Sequence, residues 1–368
     1  MLILGIESSC DDTSVALVEC NSPTPPNPPS GSGVNFVVIS EKTSSQVDVH
    51  KKYGGVVPEI AGRMHAENIL PVIEEVLKDQ ERPDVIAVTS GPGLITGLLV
   101  GVEAAKSLSY LWDVPLISVN HISGHIHSVL IESKNPHIKF PALCLVVSGG
   151  HTELLLMKSH NEFELLGKTR DDAAGETFDK VAKLVGFEYP GGAKISKTAE
   201  GGNIKAIDFP RPMLALPKPA KAGEGGINDG YEFSFAGLKT SALYWLRDHT
   251  TKNTPTSYKL QAKKLNGFCA SFEQAIIDVL VTKTVRAVKE FNPKTIILGG
   301  GVSANKKLRN TLHEEITKHF PNSKFQIPNS NYCMDNAAMI AVAGYYKAIK
   351  KDFTPWQKIE ANPNWRLA

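Results

Sequence analysis

Three shortages narrow the field before any motif is read: few cysteines, no long apolar run and almost no net charge. The five cysteines, Cys10, Cys20, Cys144, Cys269 and Cys333, contain no Cys-x-x-Cys pair. So sparse and odd a set in 368 residues is a poor disulfide framework and fits a reducing compartment. No apolar stretch reaches the roughly 18 residues that cross a bilayer, so a spanning role is not expected. Met1 runs straight into strand-like Leu2–Ile6, so a targeting leader is expected to be removed or never present. Lysine and arginine number 40 against 38 acidic residues, a net charge of +2. No global field selects nucleic acid, and any basic contact surface must be local.

What is present is enough apolar material, 42% of 368 residues, for two cores. Leu2–Ile6, the polar turn Glu7-Ser8-Ser9-Cys10-Asp11-Asp12 and Thr13–Val18 read as a hairpin. Ala142–Val147, the turn Ser148-Gly149-Gly150-His151 and Thr152–Met157 repeat the design with glycines at the tip. Each hairpin leads to a third strand, Val34–Ser40 and Phe163–Leu166, and then to alternating helix and strand. The spacing implies a duplicated β-β-β-α-β-α domain. The proline-rich stretch 21–33 reads as a surface loop insertion, and 210–230 as an exposed loop. Helices are expected at Glu67–Lys78, Gly97–Trp112, Phe268–Glu290 and Asn336–Lys350, with strands at Val85–Thr89, Leu116–Val119 and Thr295–Leu298.

Chemistry concentrates in three places. In Asn120-His121-Ile122-Ser123-Gly124-His125, a four-residue spacing puts two imidazoles on one helix face, provided the helix has begun; surface or capping histidines are the other reading. His127 and His151 are less well placed to share that face. A zinc peptidase needs a Glu after the first His, where this chain has Ile122. Asp335, ahead of the final helix, reads either as its N-cap or as a third ligand. The run Thr295–Leu298, Gly299-Gly300-Gly301, Val302-Ser303-Ala304-Asn305 is strand, glycine turn and helix start, suited to an anion or ribose or simply to a tight packing turn. It lacks the Gly-Lys-Ser/Thr ending of a Walker A loop. Gly91-Pro92-Gly93-Leu94-Ile95-Thr96-Gly97 has the wrong glycine spacing for a dinucleotide fingerprint.

The duplicated hairpins and late glycine loop resemble the α/β actin, hexokinase and Hsp70 superfamily (ASKHA, RNase H-like), with two lobes and an interlobe cleft. Within it, Gly5-Ile6-Glu7-Ser8-Ser9-Cys10-Asp11, the His121/His125 pair, Val147-Ser148-Gly149-Gly150-His151-Thr152, Gly175-Glu176-Thr177-Phe178-Asp179-Lys180, Phe233-Ser234-Phe235-Ala236-Gly237-Leu238-Lys239-Thr240 and Gly300–Asn305 resemble the TsaD family. The resemblance runs from Leu2 to about Ala343, with the motifs in order. It implies a tRNA N6-adenosine threonylcarbamoyltransferase, moving the threonylcarbamoyl group from threonylcarbamoyl-AMP to N6 of adenosine 37 in tRNAs that read codons beginning with A, and releasing AMP. It implies His121, His125 and Asp335 as ligands of one divalent metal ion per subunit, iron or zinc. Val146, Val147, Ser148, Gly149 and Gly150 would lie along the substrate, Asp179 and Gly192 at the ribose or base, Asn305 near the adenylate and Ser196 beside it.

No strong general base is required, and Glu7 and Asp11 are the candidate proton acceptors. Local clusters Lys218, Lys221, Lys259, Lys263, Lys264, Lys306, Lys307 and Arg309 are candidate tRNA contacts, or merely a solvated face. The expected lobes are 1–138 with 336–368, and 139–335. The loop insertions resemble those of the fungal mitochondrial branch, which implies a matrix location, an upstream threonylcarbamoyl-AMP synthase and a homodimer; the bacterial cytoplasm is the alternative location. Competing readings are an ATP-dependent phosphotransferase of the same superfamily, which would release ADP, and a non-catalytic scaffold, which would be expected to lack the metal ligands.

Overall fold

The computed structural model describes residues 1–21, 33–133, 136–214, 230–254 and 257–368. The proline-rich insertion and most of the 210–230 loop, with Lys218 and Lys221, lie outside the described residues. The strands are β1 (Leu2–Glu7), β2 (Asp12–Asn21), β3 (Asn35–Ser45), β4 (Val85–Gly91), β5 (Leu116–Asn120), β6 (Ala142–Val147), β7 (Thr152–Ser159), β8 (Glu162–Lys168), β9 (Thr251–Thr254), β10 (Ser257–Lys259), β11 (Thr295–Gly299) and β12 (Lys324–Gln326). The helices are α1 (Val47–Lys51), α2 (Pro58–Leu77), α3 (Ile95–Trp112), α4 (His121–His127), α5 (Ala174–Leu184), α6 (Gly192–Ala199), α7 (Ala236–His249), α8 (Ala262–Phe291), α9 (Lys306–His319) and α10 (Ala337–Ala348).

Two compact units result. Unit 1 comprises Met1–Phe140, Met157–Phe163 and Gln326–Ala368; unit 2 comprises Pro141–Leu156 and Glu164–Phe325. The sheet of unit 1 runs β3-β2-β1-β4-β5 and the second sheet β8-β7-β6-β11-β12, the same order of corresponding strands. This is the duplicated α/β fold of the actin and hexokinase class. The later boundary falls before Gln326 where the sequence suggested 336, so Asp335 stands in unit 1. The turn Met157–Phe163 also groups with unit 1, where Asn161 Nδ2 donates to the Tyr346 carbonyl at 2.8 Å and His160 stacks on the Tyr346 ring.

Strand alternation sorts β1 into two faces. Leu4 and Ile6 enter a core with Val15, Leu17, Ile69, Val72, Ile73, Val76, Val102 and Ala105, from β2, α2 and α3. Gly5 and Glu7 point the other way. A Cβ on Gly5 would collide with the Ala337 carbonyl, so glycine lets α10 lie directly on the strand. α10 is buried on every side apart from Lys347, and its apolar sequence has no wet face to offer. α2 starts at Pro58, nine residues before the periodicity suggested, because Pro at N1 and the Arg63–Glu59 pair at 2.6 Å sustain a polar first half.

In unit 2 the long α8 buries Lys283 completely. Its ammonium donates to the Gly230 carbonyl at 3.3 Å and sits 5.6 Å from the Phe233 ring centre. Burial, followed by the nearby Arg286 charge, pushes the amine down to about 8. The folded state therefore binds fewer protons than the unfolded chain between pH about 8 and about 10.4, and wild-type stability rises with pH across that window. Lys283→Met is expected to stabilise the fold at pH 7 by on the order of 2 kcal/mol, with the gain fading as pH approaches 10. Thermal melts at pH 7 and pH 10 check this.

Candidate functional site

β5 ends at Asn120, whose side chain accepts the Ile122 N–H at 2.9 Å and so starts α4 at His121 itself. Because the helix has begun by then, the four-residue spacing places His121 and His125 on one face, with ring centroids 4.6 Å apart. The third group arrives from before α10. Asn336 caps that helix, accepting from Met339 N at 2.8 Å, and the Ala337 N–H is taken by Ser14 Oγ at 3.0 Å. Asp335 is thereby released from the capping role the sequence allowed it. Its Oδ1 lies 3.2 Å from His125 Nε2 and 3.5 Å from His121 Nε2.

Asn336→Ala would remove this cap and its Nδ2 donation to the Met334 carbonyl at 2.8 Å from a buried position. The expected cost is about 1 to 2 kcal/mol. It should appear as a lowered melting temperature in metal-stripped protein, where Asp335→Asn is expected to melt near wild type.

The ligand atoms of His121, His125 and Asp335 lie within 4.8 Å of one another. Around a zinc ion with bonds near 2.1 Å, neighbouring tetrahedral ligands stand about 3.4 Å apart. The donor set fits such a cation, and a second observation concurs: both ring nitrogens of His125 are buried without a well-formed hydrogen bond, Nε2 meeting only the Asp335 carboxylate at 3.2 Å. Burial lowers the His125 proton affinity further, leaving a neutral imidazole ready to ligate.

Glu7 occupies the far side of His121. It is wholly buried and accepts three hydrogen bonds: Ser9 N at 2.6 Å, Thr89 Oγ1 at 2.7 Å and His121 Nδ1 at 2.9 Å. Burial by itself would raise its carboxyl, but the His121 charge and hydrogen bond hold it below the usual range. Reciprocally, burial would lower His121, and the carboxylates of Glu7 and Asp335 instead lift it to about 9. A proton held on Nδ1 turns Nε2 towards Asp335. Glu7 is placed to orient His121, and its complete burial leaves it no exposed face on which to take a proton from solvent. Asp11 stays at the half-buried turn, its carbonyl accepting from Gln46 N at 3.1 Å.

Unit 2 carries the remaining sequence-derived positions. Val146 and Val147 have fully buried side chains, so only their backbone could meet a ligand. Ser148 Oγ accepts from His151 N at 3.1 Å and closes the turn that leaves Gly149 and Gly150 open on their side-chain side. Gly300 has φ +84, and a Cβ there would strike the Val147 carbonyl, so the late glycine loop abuts the end of β6. Asp179 Oδ1 accepts from Gly191 N at 2.8 Å and Gly192 N at 3.0 Å, shaping the turn before α6.

Asn305 caps α9 through Leu308 N at 2.8 Å and donates to Ser196 Oγ at 2.9 Å and Glu273 Oε1 at 2.8 Å. Glu273 is buried in α8 and carries no sequence signal beyond an acidic residue at a helical core position. Of the basic cluster, Lys259, Lys263, Lys264 and Lys306 are exposed. Lys307 faces Glu273 at 3.9 Å and Arg309 donates to the Ser303 carbonyl, so both are engaged internally.

Comparison with known proteins matches residues 37–342 to the family model described as TsaD, tRNA N6-adenosine threonylcarbamoyltransferase. A protein of that name from Thermosipho africanus is 43% identical over 372 residues, covering 100% of both chains. One from Listeria monocytogenes is 45% identical over 350 residues, covering 93% of this chain and 90% of the other. One from Desulfotalea psychrophila is 45% identical over 354 residues, covering 95% and 93%. The crystal structure of T. kodakarensis HypF superposes with a TM-score of 0.55 at 14% identity, over 96% of this chain and 49% of that one, a likeness of fold alone.

Proposed function

Because the chain belongs to the TsaD family of tRNA N6-adenosine threonylcarbamoyltransferases, we propose that His121, His125 and Asp335 hold one divalent metal ion, iron or zinc, for its acyl transfer. The enzyme is an acyltransferase that modifies N6 of adenosine in tRNA. The observation that supports the metal reading best is the buried His125 with neither ring nitrogen in a well-formed hydrogen bond, beside a carboxylate and a second imidazole. Such a cation supplies positive charge to orient an activated acyl donor and to offset charge building on its oxygens.

The donor is threonylcarbamoyl-AMP in this reading. The N6 amine of adenosine 37 attacks the carbamoyl carbon, the bond from that carbon to the phosphate oxygen breaks, AMP leaves, and the N6 proton passes to solvent or to Asp11. Main-chain groups of Val146–Gly150, the turn held by Asp179, Gly192, and the Ser196–Asn305–Glu273 set are the proposed donor contacts, with exposed Lys259, Lys263, Lys264 and Lys306 for tRNA phosphates.

An upstream synthase making threonylcarbamoyl-AMP and a second copy of this chain complete the proposal; exposed Ile95 and Leu99, one turn apart on α3, favour a partner there. The named relatives are bacterial, which favours the cytoplasmic alternative over the mitochondrial matrix. The test is a reconstituted reaction with tRNA, threonine, bicarbonate, ATP and a threonylcarbamoyl-AMP synthase, using metal-stripped and metal-restored enzyme. Modified nucleoside is expected with AMP as product only after restoration; ADP formation without nucleoside would favour the phosphotransferase.

A further inference from the structure

Residues 359–365 lie on the ends of β4 and β5 and contain none of the residues assigned to the chemistry. Ile359 anchors the segment, being 2% exposed in the core of unit 1, and Thr354 N just before it donates to the Leu116 carbonyl at 2.8 Å. Beyond Ile359 the chain makes three contacts at the strand ends. Asn362 N donates to the Ser90 carbonyl at 2.7 Å, the Pro363 carbonyl accepts from Gly93 N at 3.3 Å, and the Trp365 carbonyl accepts from Asn120 Nδ2 at 3.3 Å. A Cβ on Gly91 would collide with the Asn362 carbonyl, so the two backbones touch.

Both routes from this strap converge on His121. In the first, Asn120 uses one amide group to cap α4 at Ile122 and the other to reach Trp365, so the segment fixes the rotamer of the cap that starts the helix at His121. In the second, the Gly91–Leu94 turn held by Asn362 and Pro363 meets the first hairpin, where Leu94 N donates to the Ser9 carbonyl at 2.7 Å. Ser9 Oγ is 3.1 Å from His121 Nδ1, and Ser9 N holds Glu7.

We propose that the segment Ile359–Trp365 is a positioning element for the metal ligands, setting His121 through the Asn120 cap and through Ser9. The inference rests on the metal reading above. A segment that only stabilised the fold would change the melting temperature; one that positions ligands changes cation affinity as well.

The experiment compares Zn²⁺ affinity, by competition with a chromophoric chelator, in wild type, in a chain lacking residues 363–368, in Asn120→Ser and in the combination. Serine keeps a capping oxygen for Ile122 N but cannot reach the Trp365 carbonyl, and it adds no charge near the cation. Each single change is expected to weaken Zn²⁺ binding by about fivefold to tenfold. Because part of the deletion's effect passes through Asn120, the combination should weaken it by less than the product of the two. Metal-stripped Asn120→Ser should melt close to wild type, which separates positioning from folding. Wild-type affinity in both single variants, or a multiplicative loss in the combination, overturns the positioning role while leaving the metal reading in place. Absence of Zn²⁺ binding by wild type overturns the metal reading and this inference together.

Discussion

Replacing His125 by alanine is expected to lower threonylcarbamoyl transfer at least about a thousandfold, to the level of metal-stripped enzyme, without unfolding the chain. The imidazole is fully buried, and neither ring nitrogen makes a well-formed hydrogen bond. Only the Asp335 carboxylate, 3.2 Å from Nε2, offsets its desolvation, so the fold loses packing and that single polar contact when it goes. A cation is the partner that would repay that burial. His125→Ala should show unchanged far-ultraviolet dichroism and, at any added metal concentration, no recovery of modified nucleoside. A variant retaining wild-type turnover would remove His125 from the account.

Glu7→Gln should behave differently, and the difference separates ligands from the groups that aim them. Glutamine preserves the size of the side chain and its acceptor towards Ser9 N, but it can turn an amide N–H towards His121 Nδ1, which now meets Glu7 Oε2 at 2.9 Å. That favours the tautomer with its proton on Nε2, the nitrogen that faces Asp335 at 3.5 Å, and sets the proton against the cation. The metal affinity is expected to fall about 10- to 100-fold. Transfer should return when excess metal is supplied, with kcat close to wild type. Loss of turnover that excess metal does not restore would mean that Glu7 acts on the substrate directly, and would favour the proton-acceptor role.

The sequence carried the architecture because the architecture is periodic. Paired apolar runs broken by a short polar or glycine turn, β1 with β2 and again β6 with β7, mark the two hairpins, and the repeated strand order follows from their duplication. The histidine pair was legible as a spacing, and the Asn120 cap that starts α4 at His121 is what puts both imidazoles on one face. What the sequence left open were choices between neighbours. Asp335 and Asn336 are both good caps, and only the packing of α10 shows that Asn336 takes the helix and Asp335 the histidines.

Glu7 read as the first residue of the polar hairpin turn, yet it is still in β1. The parity of the strand, with Leu4 and Ile6 in the core and Gly5 against α10, sends it into the protein. Glu273 and the 359–365 strap left no signal, because their partners, Asn305 and Asn120, are 32 and more than 200 residues away and are met only after folding. The reach of Met157–Phe163 into unit 1 was illegible for the same reason.

The proposed chemistry needs a cation among His121, His125 and Asp335. The most direct measurement is an anomalous-difference map from crystals of active enzyme, recorded on both sides of the iron or zinc absorption edge. The expected result is a single peak per chain within bonding distance of both Nε2 atoms and the Asp335 carboxylate, absent from crystals of His125→Ala. Crystals of fully active enzyme with no anomalous peak at those three side chains would contradict it.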